Sequence, residues 1–202
     1  MATFNFTMIP NKDKTKIINT ESKSCNFMDL KSVIRTIPDW PKPGIMFRDV
    51  TTLLKDANAF CYVVDKLCER YKDMGIDLVA GIESRGFILG GAVAHKLHKG
   101  FIPIRKESKL PHKTEKEIYE LEYGRATVEI HVDAIPKGAK VLLVDDLIAT
   151  AGTLVASINL IEKLGGRVIE SAVIIELPDL GGRKRLEHKK QKLFSLVEFG
   201  GE

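Results

Sequence analysis

The chain has 202 residues, 44% hydrophobic and 29% charged, which suits one α/β domain with a sizeable core and is too short for a second full domain. No apolar run approaches the ~20 residues of a membrane helix, and 31 basic against 27 acidic side chains give a net charge of +4, mild enough to favour small anionic ligands over nucleic acid. Three cysteines, Cys25, Cys61 and Cys68, form no CxxC pair and leave an odd count, so neither a disulfide framework nor a zinc site is indicated and a reducing compartment is expected.

Residues 1 to about 28 are rich in Asn, Lys, Thr and Ser without periodicity and are read as a disordered extension. They lack a signal-peptide apolar core. They contain no Arg and do include Asp13 and Glu21, which disfavours a transit peptide. A helix is predicted from about Asp29 to Ile37, stopping before Pro38, followed by an irregular loop shaped by Pro41, Pro43 and Gly44. Apolar spacing predicts a helix over Ala57 to Met74 with Gly75 as its stop, and places Cys61 and Cys68 with Val64, Leu67 and Tyr71 as core residues. Strand Asp77 to Ile82, helix Gly86 to Lys99 and strand Phe101 to Ile104 follow, an alternation that implies a parallel sheet. His95 and His98 fall at the helix end, where the dipole favours them. The pattern then breaks over Arg105 to Ala126, a charged insertion expected to be a mobile lid. A return strand at Thr127 to His131, strand Lys140 to Asp145, helix Gly152 to Leu164 and strand Val168 to Glu176 complete the core, and LFSLVEF adds an edge strand.

The most informative run is Val141 to Thr153, VLLVDDLIATAGT. Val141, Leu142, Leu143 and Val144 read as a buried parallel strand, which places Asp145 and Asp146 at its carboxyl edge, where open α/β sheets collect ligands. Ala149, Thr150, Ala151, Gly152 and Thr153 are small enough to let backbone N–H groups converge, and they open a helix whose N-terminus is an anion site. The run is not a Walker A loop, since no Gly-Lys-Ser/Thr follows the turn, and it lacks the spaced glycines of a dinucleotide fingerprint. A phosphorylated sugar suits this order of groups.

The same run closely resembles the phosphoribosyl pyrophosphate (PRPP) signature of type I phosphoribosyltransferases. The resemblance implies that Asp145 and Asp146 contact the ribose hydroxyls and that Ala149 to Thr153 hold the 5-phosphate. Four further segments, in order between about Met28 and Phe199, resemble the adenine-using branch of that family. PDWPKPGIMFRDVTTLL resembles its base-binding hood, which implies Met46 and Arg48 framing the purine with Phe47 as an apolar wall. GIESRGF resembles its pyrophosphate loop, implying that Ser84 and Arg85 contact the leaving group and that a non-proline cis peptide occurs there. IRKESKLP matches a segment whose basic residues, here Arg105 and Lys109, reach PRPP partly across a dimer interface. LEYGRATVEI resembles a loop of that branch, which implies that Glu122 matches the proposed proton donor to adenine and that Tyr123 closes over the site.

The fold implied is a type I phosphoribosyltransferase fold: a central, mainly parallel sheet flanked by helices, with a small hood at about 29–56 and a flexible catalytic loop at about 105–126, in one domain over 29–202. The activity implied is transfer of the 5-phosphoribosyl group from PRPP to adenine, giving AMP and pyrophosphate, by a cytoplasmic homodimer with no membrane or nucleic-acid partner. Mg²⁺ is the implied cofactor, held through pyrophosphate oxygens and water without a dedicated protein cage. Two other readings stay open: a non-catalytic PRPP-sensing regulator, which would need a nucleic-acid module that residues 1–28 do not resemble, and a phosphoribosyltransferase for another base. Ala151 departs from the glycine common at that point of the family's loop, a methyl group tolerable where φ is negative.

Overall fold

The computed structural model describes residues 28–121 and 124–201. The chain opens on a short helix, α1 (Leu30–Val33), capped by the Asp29 carboxylate, which accepts from the Lys31 amide. Strand β1 (Arg35–Ile37) follows at once and pairs antiparallel with β2 (Phe47–Asp49). The helix predicted to continue to Ile37 therefore stops four residues short. Ile34, Thr36 and Ile37 are β-branched, and Pro38 biases its predecessor away from the α region, so extended backbone wins there. The hood loop is more ordered than its prolines indicate. Besides β2 it yields α2 (Thr51–Lys55), tied to β1 by Thr52, whose hydroxyl donates to the Val33 carbonyl and accepts from the Arg35 amide.

The alternation predicted downstream is present. Helix α3 (Ala57–Tyr71) is capped by Asp56, then come β3 (Leu78–Ile82), α4 (Arg85–Lys96) and β4 (Gly100–Lys106). Cys68 is buried on α3 as expected, but Cys61 is exposed, because it lies off the apolar stripe of Val64, Leu67 and Tyr71. The charged insertion is a β-hairpin, β5 (Thr114–Leu121) with β6 (Gly124–His131), paired antiparallel from Thr114 opposite His131 to Leu121 opposite Gly124. The sequence carries little strand signal there because β5 is an edge strand with few apolar side chains. The chain continues through β7 (Lys140–Ile148), α5 (Gly152–Lys163), β8 (Arg167–Glu176), a 3₁₀ turn at Pro178–Leu180, α6 (Gly182–His188) and β9 (Leu193–Glu198). Helix α6 was not foreseen, its Lys- and Arg-rich run having only Leu186 to bury.

Seven strands form one sheet in the order β5-β6-β4-β3-β7-β8-β9, parallel from β4 through β9 and antiparallel at β6 and β5. Alternation along β7 divides the core. Leu142 and Val144 face a cluster with Leu67, Leu89 and Val93 of α3 and α4, while Val141 and Leu143 face one with Leu154, Ile158 and Ile161 of α5 and Leu186 of α6. Each such fully buried aliphatic side chain is worth about 1.5–3 kcal/mol. Both faces of the central strands are thus covered, and ligand access is left to the strand ends.

Candidate active site

The site begins where β7 outruns its neighbour. β3 pairs with β7 only as far as Gly81 opposite Val144, whereas β8 accompanies β7 to Ile148 opposite Glu176. Asp145 and Asp146, expected at the carboxyl edge of a strand ending at Asp145, lie inside a strand that runs three residues further, with one flank open because the chain after Ile82 turns away through a cis Glu83–Ser84 peptide into α4. That turn requires a glycine next to it. A Cβ on Gly86 would lie 2.7 Å from the Val144 carbonyl oxygen, so only a bare α-carbon lets the first turn of α4 lie against the end of β7.

The two carboxylates differ. Asp146 is buried, and the Arg85 guanidinium lies 2.8 Å from its Oδ2; the approach is a charge contact outside good hydrogen-bond alignment. Asp145 is half-buried as a residue and accepts from the Asp146 amide at 2.9 Å. Burial and then the like charge of Asp146 push the Asp145 carboxyl well above its ordinary value, with Arg85 opposing them. Hydrogen bonds from Thr51, and then the charge of Arg35 3.5 Å away with a smaller share from Arg85, hold Asp49 of β2 below its usual range.

Beyond β7 the chain turns through Ala149 and Thr150 to Ala151, whose φ is +62°. The left-handed conformation is the one in which a methyl group costs roughly 1 kcal/mol. The methyl is nonetheless buried in the core on the α5 side, and burying one carbon returns about 0.8 kcal/mol. Helix α5 starts at Gly152, so the first amides of a twelve-residue helix open onto the carboxylates.

Ser84, Arg85, Asp145, Asp146 and the whole of Ala149 to Thr153 line one cavity of about 610 Å³. Of the residues proposed for the site, two groups lie elsewhere. Arg105 is held by Glu83, with 3.3 Å and 3.2 Å hydrogen bonds, and donates to the Lys109 carbonyl; Lys109 lies over Glu129, which accepts its amide at 2.9 Å. Burial alone would raise the Glu83 carboxyl, but Arg105 and the Lys106 amide hold it below its usual value. Met46, Phe47 and Arg48 are in the hood. Phe47 meets Trp40 edge to face at 4.4 Å, and the Arg48 guanidinium stacks 4.4 Å from the Phe199 ring while donating to Thr36. Glu122 and Tyr123 lie outside the described residues. Sequence reading missed Glu83, Lys106 and Tyr119, which also line the cavity. For Tyr119 the signal was there, since it stands two residues from Glu117 in an alternating strand.

The central strand carries two acidic residues within its last four positions and leads through a small-residue turn into a helix N-terminus, and the family model for the phosphoribosyl transferase domain matches residues 51–200, which makes the chain a phosphoribosyltransferase. Curated relatives narrow the class. An adenine phosphoribosyltransferase from Chlorobium phaeobacteroides is 56% identical over 177 residues, 87% of this chain and 100% of the relative, and one from Maricaulis maris is 58% identical over 174 residues, 86% and 99%. The crystal structure of the Rhodothermus marinus adenine phosphoribosyltransferase superposes with a TM-score of 0.79 at 48% identity, covering 84% of this chain and 96% of that one. The Saccharomyces cerevisiae enzyme, solved with adenine and an imino-altritol bisphosphate, gives 0.78 at 37% identity, covering 83% and 96%. The chain belongs to the adenine phosphoribosyltransferase family.

Proposed function

We propose that this chain transfers the 5-phosphoribosyl group of PRPP to adenine, releasing pyrophosphate and forming AMP, and so serves purine salvage. The observation that carries this is the single cavity in which the Asp145–Asp146 strand, the Ala149–Thr153 turn and the Ser84–Arg85 turn face one another. Each wall suits one part of PRPP. The α5 N-terminus receives the 5-phosphate, the carboxylates accept from the ribose hydroxyls, and Ser84 and Arg85 meet the pyrophosphate.

As the C1–pyrophosphate bond breaks, positive charge grows on the ribose and negative charge on the leaving group. Asp145 and Asp146 favour the former. Arg85, partly exposed, exchanges its Asp146 partner for a pyrophosphate oxygen. Lys106 stands on the same wall to share the load. Among the described residues no three His, Cys, Asp or Glu side chains gather, and the acidic pair beside an open polar cavity fits a Mg²⁺ that arrives on the substrate's phosphates and keeps its waters. Such an ion supplies charge neutralisation at the departing pyrophosphate.

The hood supplies the base side: Phe47 as the apolar wall, with Met46 and Arg48 beside it. Arg105 and Lys109 serve PRPP across a homodimer interface, and Tyr123 closes the site. The exposed thiol of Cys61 fits a reducing, cytosolic setting, which fractionation tests. Glu122 handles the ring proton as adenine N9 attacks. Its replacement, Glu122→Gln, is expected to slow single-turnover chemistry by about 10²-fold or more while adenine affinity changes little; unaltered chemistry removes Glu122 from the mechanism.

The activity itself is tested by incubating the protein with PRPP, Mg²⁺ and each base in turn. Adenine is expected to lead hypoxanthine, guanine and orotate by up to ~10⁴, because a site that pairs an exocyclic amine leaves a buried group unpaired when an oxo group replaces it. Comparable turnover of hypoxanthine would overturn the assignment.

A further inference from the structure

One face of β5 meets one face of α5 at three places. Along the strand, Glu115, Glu117 and Tyr119 point the same way. Along the helix, Lys163, Asn159 and Gly152 share a face. Lys163 is ion-paired with Glu115, Asn159 Nδ2 donates to Glu117 Oε1 at 2.7 Å, and the Tyr119 ring covers Gly152, where an added Cβ would meet Tyr119 Cδ2 at 3.2 Å. The lower two rungs stay in step because alternate strand residues advance ~6.8 Å and helix residues four apart ~6 Å, whereas Gly152 lies seven residues from Asn159, ~10.5 Å along the helix, so the top contact is made by the long Tyr119 side chain instead of by matched spacing. Asn159 is the centre rung. Its Oδ1 accepts from Lys189, just past α6, at 2.9 Å, so a cation on one side and a carboxylate on the other fix the amide's orientation. The ladder's upper end is the cavity, which Tyr119 and Gly152 both line.

Strand β5 is the last in the sheet, paired on one edge only, to β6. Its placement over the cavity therefore depends on α5. We propose that Asn159 is a positioning residue for PRPP: by holding Glu117 it sets the register of β5 against α5, and with it the height of Tyr119 over the phosphate turn. Asn159 itself does not line the cavity, and the proposal rests on reading that cavity as the PRPP site.

The test reverses the polarity of the rung. Asn159→Asp sets two carboxylates against each other while still accepting from Lys189; Asn159→Asp with Glu117→Gln restores one donor and one acceptor the other way round. Hydrogen exchange of the β5 amides and PRPP kinetics are measured in parallel. The single variant is expected to lose protection in β5 with the β3 and β7 amides unchanged, and to raise the PRPP KM about tenfold with a smaller effect on kcat. The double variant is expected to recover both. A PRPP KM within twofold of the parent in the single variant, or a loss that the double variant does not reverse, overturns the proposal. Should Asn159→Asp fail to fold, Glu117→Ala, which removes the rung without adding charge, is read in the same way. If Asp145→Asn damages PRPP use while Asn159→Asp does not, the ladder alone is wrong; if neither does, the cavity reading fails.

Discussion

At the residue scale, the ionised form of Asp145 is disfavoured in the free protein. Burial and the Asp146 charge push its carboxyl well up, so the folded state disfavours the ionised form. A folded value above the unfolded one means that stability is fullest below the unfolded pKa, about 3.9, and declines as pH rises through the folded value. Asparagine keeps the acceptor for the Asp146 amide and never ionises. Asp145→Asn is therefore expected to raise the Tm of the ligand-free protein near pH 7, with the gain shrinking towards pH 4. If Asp145 accepts from the ribose as proposed, the same change is expected to weaken PRPP use by about 1.5–3 kcal/mol, or roughly 10- to 100-fold. Melting curves from pH 4 to 8 beside PRPP kinetics check both; a Tm at pH 7 below that of the parent refutes the electrostatic account.

At the element scale, buried carboxylates join helices to the sheet. Arg70 and Tyr71 of α3 both bond Glu170 of β8, at 2.6 and 2.9 Å from the guanidinium and 2.8 Å from the phenol. On the far side, Arg183 of α6 grips Glu176 with the help of Ser195 of β9. Burial alone would raise the Glu170 carboxyl, but Arg70 and Tyr71 outweigh it and hold it low. A folded value below the unfolded one gives stability that is present above about pH 4.3 and lost as pH falls through the folded pKa. Arg70 is 39% exposed, so its contribution is discounted for solvent. Arg70→Ala is expected to cost about 2 kcal/mol at pH 7, seen as a Tm lower by roughly 4–8 °C for a chain of this size. Acid titration of both proteins checks the sign, since the gap should narrow below pH 4.

At the scale of the whole molecule, the sheet leaves two edges, β5 and β9, and the surface exposes Trp40, Ile45, Ile88 and Ile118. A homodimer is expected on the strength of the segment containing Arg105 and Lys109, in which Arg105 is held at the end of β4 by Glu83 instead of turning into its own cavity. Light scattering at assay concentration checks it. A mass of one 22.5 kDa chain with full activity refutes it.

Local sequence determined the central strands, since Val141 to Val144 form an apolar run that only a strand covered on both faces can bury, and it determined the start of α5 and the acidic pair ahead of it. The motif is legible because the turn proposed to hold the 5-phosphate is built from consecutive residues. What local sequence left open is whatever depends on distant partners. The short α1 and the hood strands are set by pairing between Arg35 and Asp49, fourteen residues apart; the end of β7 is set by how far β8 runs beside it; and the charged hairpin is held by α5 through Lys163 and Asn159. Those contacts carry little apolar signal, so no periodicity announces them. The sign of φ at Ala151 belongs to the same class, because the geometry of joining β7 to α5 imposes it whatever residue is there.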